Sequence, residues 1–211
     1  MRTLRISHPA FFGIHSAATI RFYHDILGMP IVLRQPNLDD GSMEHLFFHV
    51  GEDNFIAYFL PFDEQAAEGK YERMKPGYGV MNHLALDVDG PSFLSALERL
   101  QAAGVNVKGP IERGYERSIY FRDPNGVRLE LLTWLTPPPQ GMPQAEIIAE
   151  AQRIRAARGA QFVEDRDVRQ AIDSLQEADD LIDEAGLESF PASDPPAWSG
   201  HPHPARDERP R

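Results

Sequence analysis

The chain repeats itself, and that limits its possible folds more than any other feature does. The segment ISHPAFFGI, carrying His8, recurs as MNHLALDV, carrying His83, a spacing of 83 − 8 = 75 residues. The glycines that end two amphipathic stretches, Gly28 in ILGMPIV and Gly104 in AAGVNVK, are 104 − 28 = 76 apart. A strand, a Gly-closed helix and a set of short strands are therefore expected twice through residues 4 to 133. His8 and His83 occupy matching places, and Glu130 lies in the last strand of the second copy. That placement suggests a metal site built between two copies of one small fold.

Residues 4 to 13 alternate like a strand, and Ser16 stands where an N-cap opens a helix carrying Ile20, Phe22, Ile26 and Leu27. Residues 30–34, 44–50 and 54–60 read as short strands separated by NLDDGS and GED. A polar linker over 62–80 follows, then a second opening strand at 82–88 and a helix over 91–103 with Pro91 in its first turn. Residues 118–122 and 127–133 form a hairpin around DPNG at 123–126. If Pro124, Asn125 and Gly126 form its loop, Tyr120 stands across from Glu130, about 5 Å away on the same face. Val127, Leu129 and Leu131 then point the other way, toward a helix.

Beyond PPPQGMP, helices are expected over 144–158 and 165–185, the second with Val168, Ile172, Leu175 and Ile182 along one stripe. The last stretch, 190–211, is rich in Pro and charge and reads as a disordered tail, with HPHP at 201–204 as an incidental feature. The expected organisation is a domain over 1–136 (module one 4–61, module two 81–134), a helical extension over 137–189 and the tail. A formal net charge of −11 argues against a nucleic-acid partner. The chain has no cysteine, which removes disulfides, thiolate ligands and a Cys nucleophile. The amino terminus lacks the apolar run of a signal peptide, and no stretch reaches the ~18 apolar residues of a membrane helix, so a cytoplasmic protein without a membrane partner is expected.

His8, FYHDILGM at 22–29, NHLALDV at 82–88 and SIYFRDPNGVRLELL at 118–132 together resemble the vicinal oxygen chelate superfamily. That group includes glyoxalase I, extradiol ring-cleavage dioxygenases, fosfomycin-resistance enzymes and bleomycin-binding proteins. The likeness covers residues 4–134 and implies an α+β fold: two βαβββ modules whose mixed sheets form a curved cup around a divalent metal. It implies His8, His83 and Glu130 as metal ligands. The fourth position falls at Ala57 or Tyr58, where glyoxalase-like isomerases usually carry a carboxylate and this chain has none. Two histidines and one carboxylate leave open faces that suit Fe(II) chemistry.

Extradiol dioxygenases also carry a tyrosine ten residues before the glutamate ligand, which is Tyr120 here. For their acid/base histidine, His45 is the best match and His49 its rival. A further family histidine, in the loop before the tyrosine strand, is absent from PIERGYERS. The resemblance thus implies an Fe(II)-dependent extradiol-type dioxygenase acting on a catechol or related vicinal diol with O2, as a homodimer. By strand parity Phe12, Phe48 and Tyr58 are expected to line the cup, and Arg117 to hold an anionic substrate group. The alternatives are a Ni, Zn, Co or Mn isomerase, lyase or thiol transferase on the same ligands, and a metal-free protein that binds an aromatic ligand.

Overall fold

A computed structural model describes residues 5–67, 69, 75 and 77–189. The expected tail, part of the linker and the Ile182 side chain lie outside the described residues. Among the described residues eight strands form two four-stranded sheets. The first contains β1 (Ala10–Phe12), β2 (Ile31–Pro36), β3 (Met43–Gly51) and β4 (Asn54–Pro61) in the order β1-β4-β3-β2. The second contains β5 (Leu84–Asp87), β6 (Lys108–Arg113), β7 (Glu116–Arg122) and β8 (Arg128–Trp134) in the matching order β5-β8-β7-β6. In each sheet the opening strand runs parallel to the closing one, and the other pairs are antiparallel.

The two registers superpose. Phe47 faces Ala57 in the first sheet, and Tyr120 faces Glu130 in the second, as the hairpin argument expects. Both correspondences give an offset of 73 residues, 120 − 47 and 130 − 57. The opening strand is shorter than expected, yet its ladder reaches back further, because the Ser7 carbonyl accepts from the Phe55 amide and the Pro9 carbonyl from Ala57. His8 is thereby held beside Phe55.

The first helix begins as α1 (Ser16–Ile20) and continues as a π-helical stretch over Arg21–Ile26. Ser16 does not cap it. The cap position is His15, without a side-chain bond, while the Ser16 hydroxyl donates to Glu44 at 2.5 Å. A short α2 (Glu64–Ala67) lies within the expected linker. The second module's helix, α3 (Gly90–Ala102), is capped by Asp89, which accepts from the Ser92 amide at 2.7 Å. Strand β6 escapes sequence reading because Gly109 and Pro110 sit inside it, and its pairing with β7 shifts there.

Leu46, Phe48, Ile56, Tyr58 and Leu60 of the first sheet and Ile119, Phe121, Leu129 and Leu131 of the second share one core with Phe22, Tyr23, Phe93 and Leu100 of the helices. The turn at 123–126 joins the modules. Tyr58 and Tyr23 both donate to Asp123, and Asn125 Oδ1 accepts from the Ile14 amide at 2.9 Å. Helices α4 (Gln144–Ala157) and α5 (Asp165–Ser189) form a hairpin over a second core with Trp134, Leu132 and Tyr115.

Candidate metal centre

Strand parity decides which side chains share the face turned away from the helices. On β8, Leu129 and Leu131 enter the core, so Arg128, Glu130 and Leu132 project from the opposite face. Ser118 and Tyr120 of β7 stand on that face too, and His83, one residue before β5, is level with Arg128. The Tyr120 hydroxyl donates to Glu130 Oε1 at 2.6 Å, and His83 Nε2 lies 2.8 Å from Glu130 Oε2. Glu130 is only 4% exposed, so its oxygens take their hydrogen-bond partners from these neighbours rather than from water. Burial first, then the bond to Glu130, pushes the Tyr120 phenol up, which keeps it a donor.

Asn82 orients the imidazole. Its Oδ1 accepts from Arg128 Nη1 at 3.0 Å and lies 2.9 Å from His83 Nδ1, so that ring nitrogen must donate. With Nδ1 held as the donor, Nε2 is aimed at a carboxylate oxygen 2.8 Å away, a separation that requires either a proton on Nε2 or a metal cation between the two atoms.

Module one carries the same framework with other chemistry. His8 Nδ1 lies 3.0 Å from Ser7 Oγ, a partner supplied by the preceding residue just as Asn82 serves His83. Of the two positions considered for a fourth ligand, the register selects Ala57; Tyr58 faces the core. Phe47 takes the place of Tyr120, and His45 that of Ser118. The His8 ring packs 4.8 Å from Phe47, and His45 stacks on Phe59 at 4.4 Å. Burial first, then the neighbouring His8, lowers the pKa of His45, and its Nε2 has no partner among the described residues. His49 differs, since its Nε2 donates to the Glu52 carbonyl at 2.5 Å.

The expected residues thus fall into separate groups. His83, Glu130 and Tyr120 come together in module two, and His8 and His45 in module one. Among the described residues no group of three or more His, Asp or Glu lies close enough to hold one ion. Phe12, 55% exposed, packs against Phe59 on the open face. Phe48 and Tyr58 do not line it: Phe48 packs 5.0 Å from Tyr23, and Tyr58 donates to Asp123 inside the core. Arg117 is three residues from Tyr120, hence on the opposite face, and pairs with Glu112 at 2.7 Å. The aromatic wall is instead Phe12, Phe47, Phe55 and Phe59, which parity counted from Ala57 would have found. Arg113 and Arg128, both over the Tyr120 ring, were also overlooked, as was Asn82.

Residues 5–131 match the model of the Glyoxalase/Bleomycin resistance protein/Dioxygenase superfamily. The chain belongs to this superfamily. Among curated superfamily relatives, Biphenyl-2,3-diol 1,2-dioxygenase 2 of Rhodococcus globerulus is 30% identical over 130 residues, 57% of this chain and 67% of that protein. The putative ring-cleaving dioxygenase MhqE of Bacillus subtilis (strain 168) is 25% identical over 134 residues, 63% of this chain but only 42% of that protein. A glyoxylase/bleomycin resistance protein/dioxygenase domain from Frankia sp. EAN1pec shares the fold, with a TM-score of 0.53 at 17% identity, over 67% of this chain and 96% of that one. Helices α4 and α5 lie beyond the superfamily match. Among the described residues no helix is long and apolar enough to cross a membrane.

Proposed function

We propose that the protein is an Fe(II)-dependent extradiol-type dioxygenase that opens the ring of a catechol or related vicinal diol. The observation that carries this reading is the contact between a tethered His83 and buried Glu130, a pair that a proton or a metal cation must bridge and that we read as two metal ligands. Both histidines turn Nδ1 toward the preceding side chain, which leaves Nε2 of each as the ligating atom. Each chain gathers only two of the three donors, so the centre is completed by His8 of a second copy, whose open aromatic face closes over module two. The superfamily's dioxygenase relatives favour O2 chemistry over the isomerase and transferase alternatives. The absence of a fourth carboxylate at Ala57 points the same way.

A divalent iron held there supplies chelation of both vicinal oxygens, with a lowered affinity for their protons, and activation of O2. The remaining work falls to the chain. Tyr120 donates its one hydroxyl proton to Glu130, and in this reading its oxygen accepts from a substrate hydroxyl or the proton turns to a substrate oxygen once Glu130 ligates the metal. His45 is neutral at physiological pH with a free Nε2, as a residue that accepts the substrate hydroxyl proton requires. Phe47 and Phe55, which stack on each other, and Phe59, which stacks on His45, would exclude water and offer ring faces to the substrate.

Subunit mixing tests the reading. His8→Ala and Glu130→Ala are each expected to lose iron and catechol-dependent O2 uptake. Refolding them together is expected to restore about a quarter of the wild-type sites, because half of the dimers are mixed and each has one intact centre. Iron retained by both single variants would overturn the proposal. Full inactivity of the mixture, with both variants folded, would overturn the shared centre.

A further inference from the structure

Two guanidinium groups converge on the ring that serves the candidate centre. Arg113 of β6 lies over Tyr120 with its Cζ 5.5 Å from the ring centroid, and Arg128 of β8 does so at 4.8 Å. Both project from the open face, since Arg128 shares it with Glu130, and Arg113 faces Glu116 of β7, which has the parity of Tyr120. Contact with an aromatic face fixes each cation in position but leaves the N–H fork available in its plane. Arg128 gives one donor to Asn82. Among the described residues neither arginine has an ion-pair partner, whereas Arg34, Arg117 and Arg158 each hold a carboxylate. Glu116 lies near enough to Arg113 to feel its charge without forming a pair. Arg113 is exposed and Arg128 half-buried, so both cations are open to an incoming anion in a chain whose net charge is −11.

We propose that Arg113 and Arg128 form an anion subsite, so that the substrate is an aromatic vicinal diol bearing a carboxylate. The proposal rests on the reading of Glu130 and Tyr120 as the centre where the diol binds. A ring whose two oxygens lie at Glu130 extends over the same sheet face, where a carboxylate reaches planar, bidentate donors. In the proposed shared centre the aromatic wall of the second copy covers the apolar side of the same ring. Once a second copy closes over this face, as the proposed centre requires, a neutral catechol would leave the two cations without a partner, so the arrangement selects for the acid.

The test is equilibrium binding to the full-length protein under anaerobic conditions, with catechol, 3,4-dihydroxybenzoate and benzoate as probes. We expect 3,4-dihydroxybenzoate to bind about tenfold or more tightly than catechol, an advantage that shrinks as salt rises. The double substitution Arg113→Gln with Arg128→Gln brings that ratio to about one, while Arg117→Gln, on the opposite face, leaves it intact. A ratio near one in the unmodified protein, or a ratio that survives the double substitution, overturns the subsite whatever the enzyme turns over. Carboxylate-dependent binding that the double substitution removes, without O2 uptake on any diol, keeps the subsite and overturns the dioxygenase reading instead.

Discussion

The two modules share a backbone and differ in chemistry. At positions related by the 73-residue offset, module two has Glu130, Tyr120 and Ser118 where module one has Ala57, Phe47 and His45. One face is polar and charged, with a buried carboxylate held by a tyrosine and a histidine; the other is an aromatic wall with a histidine at its centre. The proposed shared centre uses these halves as complementary parts. A second difference lies at the rim. The hairpin of α4 and α5 covers the end of module two's open face through Leu132 and Trp134, and Gln144 donates to Asp87 at 2.7 Å. Module one has no such cover among the described residues.

The comparison breaks most completely if Glu130 is made to match its counterpart. Glu130→Ala gives both modules the same residue and is expected to reduce bound iron and O2 uptake to background, read by elemental analysis and an oxygen electrode. The converse, Ala57→Glu, sharpens the comparison: it adds a carboxylate to a fully buried position, and we expect metal to be retained while O2-dependent turnover falls about tenfold or more as an open face closes. Turnover at the wild-type rate would show that Ala57 does not face the centre.

Stability experiments address what holds the unlike halves together. Asp123→Ala removes the acceptor of Tyr58 and Tyr23, whose hydroxyls burial and Asp123 keep protonated, and should cost about 2–4 kcal/mol in urea unfolding. Gly114 has φ +75, and a Cβ there would collide with the Val163 carbonyl before α5. Gly114→Ala is accordingly expected to cost about 1–3 kcal/mol and to loosen the hairpin from module two, which limited proteolysis between α4 and α5 would detect.

The smallest effect is a pH dependence confined to that hairpin. Arg158 grips Asp167 with two bonds of 2.7 Å and holds its carboxyl below the usual range. A depressed carboxyl contributes stability above its unfolded pKa, and that contribution disappears as pH falls through the folded value. The hairpin should therefore loosen in acid, below about pH 4, and Arg158→Met should flatten the acid limb of the unfolding midpoint.

Sequence made the duplication legible because His8 and His83, and Gly28 and Gly104, stand at fixed spacing, and it made the Tyr120–Glu130 pairing legible because DPNG sets a hairpin register. It misplaced Phe48, Tyr58 and Arg117 for one reason: a strand shows its alternation but not which parity faces the helices. Phe47, Phe55 and Phe59 are as apolar as the core residues beside them, so composition cannot sort the two faces. Arg113 was hidden further, because Gly109 and Pro110 mask the strand that carries it. The separation of His8 from the His83–Glu130 pair depends on how the two sheets pack, which no local motif encodes.

Asn82 touches both His83 and Arg128 through a single oxygen. Should His83 take a cation and Arg128 an anion, as proposed, this shared oxygen would couple them: by reciprocity each would change the other's affinity by the same factor, and a full site would retain its metal differently from an empty one.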